Sequence, residues 1–270
     1  MAQTRPFYLR SPALHILCLL GALTTWGLCI ADRTVSHLLV ALHGPSEYVL
    51  PGSNATLRST FTRIFPVDYL LRMLVIIFWE PAYGRLPATS ATGVYFLGQV
   101  FPIMTAVCLD GMRGGNSRAP KSRLLTAMMW LFLFQMTGMA TTGGLWVLSF
   151  VDTSPTTSAV ASLSTLRQTS LVSRSTGLIV LVAMVLGYAV PGVAMGLHSP
   201  NFVSSDFQQW TIAAWNVYPI WVFLFVKAGE LVASKVFPEP SHAQRSGNKG
   251  EVVANPSRQN HLKAVRLSRV

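Results

Sequence analysis

The chain has 270 residues, 51% of them hydrophobic and only 11% charged, with a formal net charge of +11 and a mean hydropathy of +0.43. A soluble domain carries about 25% charged residues, and here the charges gather between long apolar runs and at the two ends, a segregation that a water-soluble core does not need. The positive balance does not point to nucleic acid, because no basic stripe is interleaved with exposed aromatics; Lys and Arg sit where apolar runs leave a bilayer toward anionic cytosolic headgroups.

The first apolar run, Pro12 to Ile30, is free of charge and follows Arg5 and Arg10, so it reads as one membrane span rather than a cleaved signal peptide. Residues 32–66 read as a polar connector with Pro45, Pro51, Gly52 and the sequon Asn54-Ala55-Thr56. With Arg5 and Arg10 cytosolic the connector faces a lumen, where Asn54 can be glycosylated.

The second run, Val67 to Tyr83, carries Asp68, Arg72 and Glu80 and needs a protein-lined or wet face. The third, Gly93 to Leu109, ends in the charged connector DGMRGGNSRAPKSR. The fourth, Leu124 to Val151, is interrupted by Gly138 and Gly143-Gly144 and is one long tilted helix or a broken one. A Ser/Thr-rich loop from Asp152 to Ser175 follows, then runs at Gly177 to Leu197 and Trp210 to Val236.

The fold class is therefore an all-α integral membrane bundle of six transmembrane helices, or seven if the fourth run crosses twice. Residues 1–237 form the polytopic domain, and 238–270, rich in Arg, Lys, Ser, Asn and Gln, form a basic disordered cytosolic tail. Six spans put Arg113, Arg118, Lys121 and Arg123 on the lumenal side, against the positive-inside rule; counting the fourth run twice is one way to remove that misfit.

An ionisable side chain at membrane depth costs on the order of 2.5 to 3.5 kcal/mol, which makes such residues functional candidates. At 100° per residue Asp68, Arg72 and Trp79 share one stripe, and Asp68 with Arg72 has i,i+4 spacing, as suits an internal ion pair or a substrate contact. Glu80 follows Phe78-Trp79 and precedes Pro81. A desolvated carboxyl there stays protonated and can serve as a general acid, whereas an interfacial one merely meets headgroups. In the third run Tyr95, Gln99, Ala106 and Asp110 share a stripe that serves helix–helix hydrogen bonding or substrate contact.

Tryptophans at 79, 130, 146, 210, 215 and 221 are interfacial anchors or, with Tyr95 and Tyr218, walls of a cavity whose ring faces stabilise a carbocation. The sequence has no phosphate-binding Gly-rich loop, HExxH or DDxxD cluster, and Cys18, Cys29 and Cys108 lack metal-ligand spacing, so no metal and no cofactor is expected. Protonating an alkene or epoxide needs only one acid in an aromatic pocket.

Three patches, FPVDYLLRMLVIIFWEPAYG, SATGVYFLGQVFPIMTAVCLDGMRGGN and PNFVSSDFQQWTIAAWNVYPIWVFL, resemble fungal polytopic membrane proteins of meroterpenoid and indole-diterpene clusters. The resemblance is to membrane-bound terpene cyclases of the ascofuranone and macrophorin type, with paxilline-cluster membrane proteins as looser relatives. It implies an endoplasmic reticulum protein that binds a lipophilic prenylated molecule beside membrane lipid and other membrane-bound pathway enzymes, and cyclises it by protonation. Glu80 would then give the proton, with Asp110 second, while Asp68, Arg72, Trp79, Tyr95, Gln99, Trp215 and Tyr218 contact substrate. The resemblance also implies longer relatives, with further helices where this chain turns into its basic tail, so that the chain reads as a shortened family member. The alternative is a non-catalytic pathway component, a transporter or scaffold; no convincing internal repeat between halves supports a transporter.

Overall fold

A computed structural model describes residues 12–44, 47–116, 120–153 and 162–236. The termini with Arg5, Arg10 and the expected tail, and the connector position Arg118, lie outside the described residues. The chain divides into a main unit, Met1–Glu230, and a terminal unit, Leu231–Val270.

The elements are α1 (Pro12–Ala31), α2 (Thr34–His43), α3 (Phe65–Tyr83), α4 (Pro87–Gly111), α5 (Pro120–Thr137), α6 (Met139–Thr153), α7 (Leu163–Ser170), α8 (Arg174–Met184), a π-helical turn Val185–Ala189, α9 (Val190–Met195), α10 (Ser205–Asn216) and α11 (Tyr218–Val236). Among the described residues the only extended pairing is an isolated bridge between Val49 and Thr56. Two expected loops contain helices: α2 lies in the 32–66 connector and α7 in the 152–175 segment. Local capping explains the first, since Arg33 takes a positive φ of 65° and the Asp32 carboxylate accepts from Thr34 N at 2.9 Å, restarting a helix from a run of Leu, Val and Ala.

Two helical stretches, Pro87–Gly111 and Leu166–Met195, are long and apolar enough to cross a membrane. The count rises to four if each bent pair, α1 with α2 at 61° and α10 with α11 at 66°, is one span. That is fewer than the six or seven expected, for two physical reasons. Helix α3 carries three ionisable residues, and the fourth run breaks at Gly138, whose φ of 79° favours glycine and divides it into α5 and α6. Only 22% of the apolar stretch of α4 is buried within the protein, so most of its apolar surface faces outward.

Helix α3 packs on α2, α4 and α10; α4 also meets α5 and α8; α6 meets α5 and α1; and α9 meets α10. Small residues set the α1–α6 approach: a Cβ on Gly21 would collide with the Ala140 carbonyl, and one on Gly144 with Cys18 Sγ. The π turn precedes Pro191, whose missing N–H and bulky ring disrupt an ordinary turn. Within it Gly187 lies against the Val222 backbone of α11, where a Cβ would come within 2.9 Å of Val222 N.

Helix α10 supplies the polar ties. Gln208 Nε2 donates to Ala82 O at 2.9 Å, near the end of α3, and Gln209 clasps the connector, accepting from Arg58 N at 2.8 Å and donating to Thr56 O at 3.1 Å. Asn216 accepts from Gln135 Nε2 of α5 and donates to Ile212 O at 2.8 Å. All three α10 side chains are buried.

Replacing Asn216 by Leu should therefore destabilise the protein by about 1–3 kcal/mol, because the Gln135 amide loses its partner; the double variant Q135L/N216L should recover most of that loss in detergent melting curves. Gly21→Val should lower the melting temperature by forcing α1 from α6, with a cost of about 1–3 kcal/mol. Gly27→Val on the same helix, where nothing lies within 4 Å of the new Cβ, should be close to neutral by the same measurement.

Candidate functional site

Helix α4 and the π turn with α9 face one another across small residues, and the space they leave is an apolar groove. Two depressions of about 510 and 470 Å³ share Val94, Leu97, Gly192 and Gly196 as lining, and so form one continuous surface. Toward the start of α4 its wall includes Phe78, Pro81 and Ala82 of α3; toward Pro102 it reaches Phe101 and Tyr188. No Asp, Glu, His, Lys or Arg lines it, and the hydroxyl of Thr92 is committed to Ala88 O at 2.9 Å.

The floor is aromatic. Trp215 meets Phe78 edge to face at 5.2 Å and Tyr188 at 5.6 Å, while Tyr188 and Tyr218 cross at 4.9 Å and 89°. Tyr188 donates to Leu97 O at 3.0 Å, fixing the π turn to α4. Trp215 and Tyr218, expected to touch substrate, are each 1% exposed and absent from the lining, Trp215 close under Gly192 and Tyr218 against the Tyr188 ring. Trp215 Nε1 and the Tyr218 hydroxyl are buried without a hydrogen-bond partner among the described residues.

Glu80 is placed otherwise than a desolvated acid requires. It forms an ion pair with Arg85 at 3.2 Å, its side chain is 38% exposed, and its neighbours Pro81 and Ala82 line the groove while its own side chain is absent from the lining. At 100° per residue it projects about 160° away from Phe78 and Ala82 on α3. It faces the connector instead: burial and, after it, the Glu80 carboxylate push the Tyr48 phenol above its ordinary range.

Asp110 lies at the other end of α4 in a crevice of about 10 Å³ shared with Trp130, Trp146 and Phe150. It pairs with Arg113 at 2.6 Å, and that guanidinium stands 4.9 Å above the Phe150 ring. The connector beyond it is ordered by Gly114 N and Gly115 N, which donate to Leu171 O and Thr169 O, and by Arg123, which donates to Asn116 O at 2.8 Å. Tyr95 and Gln99, expected on the same stripe, are exposed; Tyr95 is 68% exposed, and neither lines the groove. The groove lies on another face of α4, and Pro102 lies between them and Asp110 along the helix.

The stripe of Asp68, Arg72 and Trp79 faces the connector, and the expected Asp68–Arg72 ion pair does not form. Asp68 Oδ1 accepts from Phe61 N, Thr62 N and the Thr62 hydroxyl, and Oδ2 from Arg63 N, so the loop's amides replace the guanidinium. Trp79 is fully buried, stacks on Tyr83 at 5.0 Å and donates to Pro51 O at 3.1 Å. Asn54 is exposed in the bend that follows.

The residues missed from sequence are Tyr188, Gly192 and Gly196 in the groove and Arg113, Asn116 and Arg123 around Asp110. The first set did leave a signal, two glycines four apart beside Pro191 in an apolar run. The second set sat in plain view in a polar connector whose fold against α7 no local pattern announces.

The chain is 28% identical over 163 residues to the terpene cyclase ascI of Acremonium egyptiacum, covering 60% of this chain and 40% of that protein. It is 27% identical over 163 residues to the terpene cyclase ctvD of Aspergillus terreus, 59% and 43% of the two chains, and 27% identical over 206 residues to the terpene cyclase atmA of Aspergillus flavus, 75% and 53%. The chain thus spans about half the length of the curated relatives it matches. No solved structure matches. The CtvD domain family matches residues 15–267, nearly the whole length, and the chain belongs to that family.

Proposed function

We propose that this protein is a membrane-bound terpene cyclase of fungal secondary metabolism, which protonates a prenyl chain on a lipophilic meroterpenoid-type substrate and folds it into rings. The observation that carries the reading is the groove itself: about 510 and 470 Å³ of joined apolar space, within the range of small-molecule sites, with Phe78, Phe96, Phe101 and Tyr188 in its walls. Ring faces there would lower the energy of a migrating carbocation. The kinship with proteins named terpene cyclases supports the chemistry.

Glu80 is the proposed proton donor. It adjoins the groove wall at Pro81 and Ala82, and its ion pair with Arg85 brackets the α3–α4 turn, just before Ala88 and Thr89 of the opposite wall. Donation requires Arg85 to release the carboxyl and the Glu80 side chain to swing from the connector face of α3 to the groove's edge. One observation favours Asp110 as a second reading: its crevice joins a carboxyl to two indoles and a phenyl ring. The groove wall ends at Phe101, about 13 Å further back along the helix axis. The protein is proposed to reside in the endoplasmic reticulum membrane with other pathway enzymes, in a bundle of six or seven spans, the α2–α3 connector lumenal and Asn54 glycosylated.

In microsomes given an epoxidised farnesyl phenol, Glu80→Gln should lower kcat about a hundredfold or more, and Asp110→Asn should stay within severalfold of the parent. The reverse pattern transfers the acid's role to Asp110. Leu97→Phe, which narrows both halves of the groove, should raise KM several-fold with a smaller change in kcat. A deletion strain should accumulate uncyclised precursor; final product trapped in cells would indicate a transporter instead, and a general fall in flux a scaffold.

A further inference from the structure

A second cavity, about 400 Å³, lies between α2, the connector and α3, and its character is opposite to the groove's. Hydroxyl-bearing residues Tyr48, Thr56, Ser59 and Thr60 line it, and Arg72 enters it from α3. Arg72 Nε is buried and has no hydrogen-bond partner among the described residues. Arg72 as a whole is half-buried, but a guanidinium N–H shut off from water without an acceptor is costly, so what meets it is a question with a structural answer.

The charged groups nearby do not. Asp68, one turn before Arg72, has both carboxylate oxygens engaged by the connector's amides. Glu80 is paired with Arg85, and Asp206 with Arg58. Glu47 is exposed at the cavity's edge and makes no ion pair with Arg72. Arg58, the other cation in the lining, is further committed to Thr60 O at 2.7 Å. What remains is a free planar fork of donors, the geometry that grips a carboxylate or phosphate through two parallel bonds.

We propose that this cavity is an oxyanion site, in which Arg72 binds a carboxylate or phosphate group and the surrounding hydroxyl-bearing residues meet its remaining oxygens. The volume exceeds that of a bare anion, which leaves room for the group that carries it. The inference is independent of the cyclase reading, and its test reads binding rather than turnover.

The test uses the purified full chain in phosphatidylcholine nanodiscs, melted with inorganic phosphate or with dihexanoyl phosphatidic acid at constant ionic strength. At a hundredfold excess over Kd the melting temperature should rise by about 5 to 10 °C, and Arg72→Met should abolish the rise. Without ligand, Arg72→Met should melt no lower than the parent, since it removes a buried donor that has no acceptor. A response to both probes assigns a free oxyanion, and a response to phosphatidic acid alone assigns a lipid-borne one. No rise with either probe, or a rise that survives Arg72→Met, overturns the proposal. So does a drop in the ligand-free melting temperature shared by Arg72→Met and Arg72→Gln, which would give Arg72 a structural role.

Discussion

Backbone groups freed where a helix stops have no water to turn to inside a bilayer, and the architecture of this chain follows from how it satisfies them. Its apolar stretches break often: at Gly138, at the π turn, and at the bends between α1 and α2 and between α10 and α11. The amides of α10 serve other freed groups, at the end of α3 and in the connector, and tie α10 to α5. Gln208 takes the Ala82 carbonyl at the end of α3, Gln209 takes both a donor and an acceptor of the connector, and Asn216 joins α5. Losing one of these ties exposes a polar group in a low-dielectric interior, where a hydrogen bond is worth more than in water.

Apolar and polar spaces are kept apart by α3. Phe78, Pro81 and Ala82 turn toward the groove, while Asp68, Arg72, Trp79 and Glu80 turn toward the connector. One helix thus borders both a greasy wall and a hydroxyl-rich one, and this explains why its composition fits neither an ordinary span nor an ordinary surface helix. Of the ionisable residues unusual in a span, Asp68 holds the connector and Arg72 remains available to an anion.

Sequence patterns revealed the all-helical class, the apolar runs and the stripe of Asp68, Arg72 and Trp79, because helical periodicity and hydrophobic length act locally. The partners of that stripe were not legible. Asp68 and Arg72 have ideal spacing for an ion pair, yet competing amides seven, six and five residues upstream win the carboxylate, a result that depends on the path of an irregular loop. Glu80 was singled out from its neighbours Trp79 and Pro81, but whether it is desolvated depends on Arg85 across a turn. The groove was hidden for a similar reason: its glycines come from α4 and α9, nearly a hundred residues apart, and only packing brings them face to face.

The π turn at Val185–Ala189 has one further effect. A π-helical turn holds an extra residue compared with an α-helical one, so every side chain beyond it is rotated by about 100° from where an uninterrupted helix would put it. Gly192 and Gly196 look toward α4 because of that offset. The azimuth of this wall is set by a count of residues rather than by their identity, and a single-residue insertion or deletion upstream in the helix would reshape the wall more than most point substitutions within it.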